Sequence, residues 1–234
     1  MKPLITAIAV GLAFTLAQPA TAQWAGEASL TGNRTTGNTD TTDIGLGLKL
    51  ANEGDVWRHK FDASADYGRA NGVNNRERFF LGYKLERDIG DRFFAFGEAD
   101  YLRAKFGAFT DSWFVGGGLG YTVFEPEPVG WSVSAGAGYR SQTSALDVTE
   151  EEVALNAESD FDWQINNNVS LYDDAGILWS DSNTFLFNEI GLTADLMGNL
   201  AARASYRIEH NTDVPLGREK TDTITRFGIV YTIG

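Results

Sequence analysis

The chain has 234 residues, 43% of them hydrophobic and 22% charged, with 26 Gly, 15 Phe, 8 Tyr, 6 Trp, 2 His, no Cys and a formal charge of −13. Without cysteine there is no disulfide framework, thiol nucleophile or Cys-bound zinc or iron–sulfur centre, and two histidines cannot build a three-histidine metal site. The acidic balance argues against nucleic acid, whose phosphates draw on clustered Lys and Arg. No motif calls for a cofactor.

In chain order, Lys2 precedes an apolar stretch from Leu4 to Leu16, and Ala20-Thr21-Ala22 follows. A charged start, a short apolar core and a small-residue cut site describe a cleaved secretory signal over 1–22. The core is shorter than the roughly 20 residues a membrane-spanning helix needs. Residues 23–234 then form the exported domain.

That domain reads in period 2, with one apolar face and one polar face per segment. Trp24, Ala28 and Leu30 begin the apolar set; Ile44, Leu46, Leu48 and Leu50 continue it over 44–50, and Trp57, Phe61, Ala63, Ala65 and Tyr67 over 57–67. The same alternation returns at 79–85, 93–101, 113–123, 131–139, 153–163, 169–179, 186–194, 200–208 and 225–233. Asp173 breaks it, which implies a bulge or a shifted register at that point. Tight connections are expected at 51–55, 88–91, 125–130, 164–167 and 195–199, and mostly longer polar ones at 33–41, 68–76, 102–110, 141–150, 180–183 and 209–220.

Short turns on one side and longer loops on the other predict an all-β fold, an antiparallel up-and-down transmembrane β-barrel of about 12 strands. Aromatic residues on the apolar parity reinforce it. Trp24, Trp57, Phe93, Trp131 and Trp163 stand near the chain start or short turns, and Tyr67, Tyr101, Trp113, Tyr139 and Trp179 near the longer loops. These positions suit two girdles at the lipid boundaries. A soluble two-sheet sandwich also alternates, but has no reason to sort aromatics to both strand ends.

Trp24-Ala-Gly-Glu-Ala-Ser-Leu, Thr36-Gly-Asn-Thr-Asp-Thr-Thr, Trp57-Arg-His-Lys, Ala65-Asp-Tyr-Gly and Gly217-Arg-Glu-Lys-Thr-Asp-Thr resemble the salt-induced outer membrane protein family of bacteria, over essentially the whole exported domain. The resemblance implies an outer-membrane location in a Gram-negative cell, with outer membrane lipid, lipopolysaccharide and the insertion machinery as partners, and a link to salt or osmotic stress. It brings no catalytic residue, substrate or cofactor. Outer membrane barrels commonly end in an aromatic residue and this chain ends Tyr231-Thr-Ile-Gly234, so the insertion signal is expected to rest on Phe227, Ile229, Tyr231 and Ile233.

The inward parity carries the candidate functional side chains: Asp62, Asp66, Arg78, Lys84, Glu98, Asp100, Arg140, Glu158, Asp160, Arg203, Arg207 and Arg226. Acids and bases are mixed, and two readings stay open. The charges pair across the interior and plug it, leaving a structural envelope protein, or they line a narrow path that prefers cations. Twelve strands enclose less space than the 16–18 of a porin, which favours the plug or a very narrow path.

An enzymatic reading, such as lipid modification, is not expected. His59 falls on the apolar parity beside Trp57 and His210 near an outer strand end, each without the serine and acid of a triad. Gly116-Gly-Gly-Leu-Gly120 lies within a strand pattern and lacks the helix a phosphate loop needs; small residues there let interior side chains pack. Asn38-Thr-Asp-Thr-Thr-Asp43 lacks EF-hand spacing and reads as a self-capping turn rather than a calcium loop.

Overall fold

The computed structural model describes residues 24–38, 41–70, 73–124 and 127–234. The expected signal segment, residues 71–72 and 125–126 of two expected connections, and Thr39 and Asp40 of the polar motif lie outside the described residues. Strands are β1 (Trp24–Thr36), β2 (Thr41–Glu53), β3 (Trp57–Ala70), β4 (Val73–Asp88), β5 (Phe93–Ala104), β6 (Phe109–Phe124), β7 (Val129–Ser144), β8 (Thr149–Asn166), β9 (Val169–Trp179), β10 (Phe185–Met197), β11 (Leu200–Asn211) and β12 (Thr221–Ile233). Each pairs antiparallel with its neighbours in sequence, and β1 pairs with β12 to close the ring. Closure excludes the sandwich. It also leaves no strand edge unpaired, the condition for spanning lipid, where no water satisfies a free backbone group.

Register keeps the apolar parity on one side: Leu30 faces Leu46 on β2 and Ile229 on β12. Those side chains point outward, with Leu46 59% and Phe227 65% exposed. An outer wall of Leu, Ile, Val and aromatic rings is an aggregation hazard in water and a match to hydrocarbon. The protein is an up-and-down transmembrane barrel. Asp173 marks neither a bulge nor a shifted register: the ladder runs regularly through Phe161, Asp173 and Ile190, so its side chain stays on the outer wall and accepts a hydrogen bond from Asn188 Nδ2 at 2.7 Å.

The expected longer connections at 33–41, 68–76, 102–110 and 141–150 are mostly strand; the actual connections are 37–40, 71–72, 105–108 and 145–148. Polar residues beyond the lipid boundary keep pairing, because ladder hydrogen bonds hold whatever lies outside, and the sequence pattern fades once both faces are wet. Only 212–220 is a long connection between strands.

Inside, aromatic rings lie flat on glycine. A Cβ added at Gly120 would fall 2.1 Å from the Phe94 ring, at Gly116 2.4 Å from Phe114, and at Gly176 2.4 Å from Phe187. Only glycine leaves room for this stacking, so the run of 116–120 serves packing. Phe94, Phe96 and Phe114 are buried on the inward face, which corrects the expectation that the apolar share belongs to the lipid side alone. Over several rings sits a cation: Arg58 over Phe94 at 5.4 Å, Lys84 over Phe96 at 4.6 Å, Arg207 over Phe187 at 4.3 Å. Glycine, ring and cation form repeated layers from the wall inward, each cation gaining quadrupole attraction away from bulk water.

Candidate functional site: the barrel lumen

The interior encloses a cavity of about 690 Å³. Asp62, Asp66, Arg78, Lys84, Glu98, Asp100, Arg140, Glu158, Asp160, Arg203, Arg207 and Arg226 all line it. Glu27, Arg76, Tyr172 and Asp174 line it as well. Carrying the period-2 count through 24–36 and 169–179 finds Glu27, Tyr172 and Asp174; Arg76 has no such signal, because it lies in the polar extension of β4.

The lumen has two unlike walls. From β10 round through β12 to β4, every arginine is answered. Arg76 stands in ion-pair contact with Asp43 at 2.6 Å and donates to Asp66 at 3.2 Å, Arg78 grips both oxygens of Glu209 at 2.8 and 2.9 Å, and Arg207 reaches Glu209 at 2.7 Å and Glu189 at 3.3 Å. Arg226 joins Glu189 at 3.3 Å and Asp66 at 3.9 Å, and Arg203 forks onto Glu27. Planar guanidinium forks meeting carboxylates in this way are the strong kind of charged hydrogen bond.

From β5 to β9 the cavity is lined by Glu98, Asp100, Glu158, Asp160 and Asp174, and Asp162 follows on the same face of β8, exposed. Lys84 reaches Glu158 at 2.5 Å and Glu98 at 3.8 Å, and Lys49 reaches Asp174 at 3.8 Å; among the described residues Asp100, Asp160 and Asp162 form no ion pair within 4.0 Å. Lys84 stands directly opposite Glu98 in the β4–β5 ladder, while its bridge to Glu158 (β4–β8) and that of Lys49 to Asp174 (β2–β9) cross the lumen, as Arg78–Glu209 does between β4 and β11. Arg140 sits apart from this wall's carboxylates, donating to Ser180 Oγ at 3.2 Å and the Asn183 carbonyl at 3.0 Å near the outer end.

At the short-turn end Arg58 binds Glu86 at 2.9 Å and Asp88 at 2.6 Å, with Lys60 on Glu86 at 2.8 Å. At the other end the 212–220 connection folds across the mouth. Arg218 donates to the Phe106 carbonyl at 3.1 Å, linking the β11–β12 hairpin to the β5–β6 hairpin on the far side of the ring. Asn38 anchors that connection, donating to the Glu219 carbonyl at 2.6 Å and accepting from its N–H at 2.7 Å. Asp43, from the same polar motif, turns inward to Arg76 and Thr41 instead of forming an exposed loop ligand.

On the outer wall, Trp24, Trp57, Phe93 and Trp163 lie exposed toward the short-turn end and Tyr67, Trp113, Tyr139 and Trp179 toward the other; Trp131 and Tyr101 are half-buried on the same parity. Rings pair across strands, Trp113 with Tyr139 at 5.8 Å and Trp131 with Phe124 at 5.9 Å. His59 Nδ1 bonds Tyr83 Oη and His210 Nδ1 bonds Thr221 Oγ1, both at 2.8 Å. Neither is joined to a serine and a carboxylate in a triad.

Closed strands, an apolar exterior and a lumen crossed by ion pairs define a transmembrane barrel with a narrow charged interior. The chain belongs to DUF481, a family of proteins of unknown function, whose family model matches residues 28–233. No curated protein matches it. In fold it is similar to the NanC porin, at TM-score 0.60 and 9% identity over 88% of this chain and 100% of the porin. An outer membrane channel from Pseudomonas putida F1 is also similar, at TM-score 0.53 and 11% identity over 93% of this chain and 97% of the channel. So is the translocator domain of the autotransporter NalP from Neisseria meningitidis, at TM-score 0.50 and 14% identity over 91% and 89%.

Proposed function

We propose that the protein is a non-enzymatic barrel of the Gram-negative outer membrane, exported by its signal segment, whose lumen is a very narrow path preferring small cations. The observation that carries this reading is the acidic wall of β5 to β9, where Asp100 and Asp160 line the cavity with no ion pair of their own among the described residues. Uncompensated carboxylates in a confined, partly low-dielectric space concentrate cations and repel anions. The arginine wall does not counter this, because each of its guanidinium groups already meets a carboxylate, and Asp62 on β3 adds a further acid with no ion pair within 4.0 Å among the described residues.

A plugged, structural barrel is the second reading, favoured by the ion pairs that cross the lumen and by Arg218 spanning the mouth. Planar bilayers decide between them. Small channel events with a reversal potential on the cation side support the path, and silence in all salts at any voltage leaves the plug. The outward rings serve as lipid-boundary girdles, with outer membrane lipid and lipopolysaccharide as partners. The tie to salt or osmotic stress rests on the sequence resemblance, and is tested by whether a deletion strain loses growth at high NaCl.

A further inference from the structure

The acidic wall has the composition of an ammonium receptor. Lys84 Nζ, reaching over from β4, lies 2.5 Å from Glu158, 3.8 Å from Glu98 and 4.6 Å from the centroid of the Phe96 ring. Two carboxylates and a ring face supply what a primary ammonium group uses: acceptors for its three N–H donors and quadrupole attraction for its charge. The floor between β5 and β8 is glycine, which lets the two strands share one recess: Asn156 Nδ2 on β8 donates to Glu98 Oε1 on β5 at 2.6 Å.

Acceptors remain after Lys84 is served. Asn156 is 7% exposed, and its Oδ1 has no partner. That oxygen sits over Gly136, where a Cβ would come within 2.8 Å of it. Asp100 and Asp160, on the same two strands, have no ion pair within 4.0 Å. A second cation bearing N–H donors therefore finds the Asp100 carboxylate and one oxygen of Asp160 beside the first, Asp160 Oδ2 accepting from Ser132 Oγ at 3.4 Å, with the unpartnered Asn156 Oδ1 buried in the same recess.

We propose that this recess is a binding station for organic cations carrying a primary ammonium group, with Lys84 as the tethered example of the group it takes. The station deepens the cation-path reading and depends on it for the ligand's route, while its affinity can be measured apart from conductance.

The test uses the full barrel purified in detergent, titrated calorimetrically at matched ionic strength with n-butylammonium, which is the lysine side chain cut loose, with 1,4-diaminobutane, and with tetramethylammonium. The same probes are applied to the barrel in planar bilayers. Expected are affinities for the two primary amines about ten-fold above tetramethylammonium, which has charge but no N–H donor. Asp100→Asn and Asp160→Asn each weaken 1,4-diaminobutane about five-fold, and Lys84→Met, which keeps the stem and removes the tethered ammonium, strengthens n-butylammonium about ten-fold. Equal affinity for tetramethylammonium in the unaltered protein overturns the station, and so does a folded Lys84→Met protein that binds n-butylammonium no better than its parent. Binding with silent bilayers keeps the station and overturns the path. Cation-selective conductance without amine binding keeps the path and overturns the station.

Discussion

The two walls of the lumen hold similar residue types and use them in opposite ways. On the β10–β4 side each guanidinium is fixed by a carboxylate, often by two, so the charges serve cohesion and contribute little net field. On the β5–β9 side carboxylates outnumber their cations, and the two lysines that serve them belong to β4 and β2, outside that wall. Charge that is matched holds a structure together; charge left over acts on what enters. Composition alone could not separate the two, since the inward acids and bases are nearly balanced along the chain.

Breaking the matched wall gives the largest effect. Glu209 is 7% exposed and receives Arg78 and Arg207, so Glu209→Ala leaves two buried guanidinium groups short of a partner. A loss of about 3–5 kcal/mol is expected from that mismatch, read in urea unfolding from lipid vesicles or micelles. Asp160→Asn, which removes an unmatched charge, should change the same measurement by less than about 0.5 kcal/mol.

Packing under the walls comes next. Gly120→Val puts a side chain where the Phe94 ring lies, and overpacking of this kind costs about 1–3 kcal/mol. A double variant that also shortens Phe94 to Ala should recover part of the loss. Independent, additive losses in the two single variants would refute the ring-on-glycine account.

The functional side of the comparison is sharpened by the double variant Asp100→Asn, Asp160→Asn, which removes two unpaired acids of the cavity lining. It should lower the cation-to-anion permeability ratio several-fold with stability nearly unchanged, measured as a reversal-potential shift in a KCl gradient. The smallest effect belongs to the mouth. Arg218→Ala removes one part-buried contact to the Phe106 carbonyl, worth about 1 kcal/mol, yet should raise conductance by freeing the 212–220 connection from the far rim.

Strand number, antiparallel order and the outward face were legible because lipid imposes one rule on every second residue. The same rule fixed which side chains point inward, including all twelve charged candidates in the cavity lining. It could not say which of them meet. Arg78 and Glu209 stand 131 residues apart, on strands that come face to face only through the diameter and tilt of the closed ring. Strand ends are hidden for a related reason: beyond the lipid the alternation loses its cause, so the polar run around Arg76 has the pattern of a loop although Arg76 pairs inside the barrel. Phe94, Phe96 and Phe114 give no sequence signal, because an apolar side chain on a polar parity acquires meaning only from the glycines it meets across the ladder.

The seam between β1 and β12 sets the order in which the molecule can form. Every other ladder is a hairpin between neighbours in sequence, assembled from local contacts at small entropic cost. The seam joins Gly26 to Ile233, nearly the whole length of the chain. A growing meander can therefore zip strand by strand in either direction, but its interior becomes an enclosed space only in one late step, when the first and last strands find each other. Until then both walls of the lumen lie open on a curved sheet, and ion pairs that span the barrel, such as Arg78–Glu209 and Lys84–Glu158, are contacts that closure itself creates.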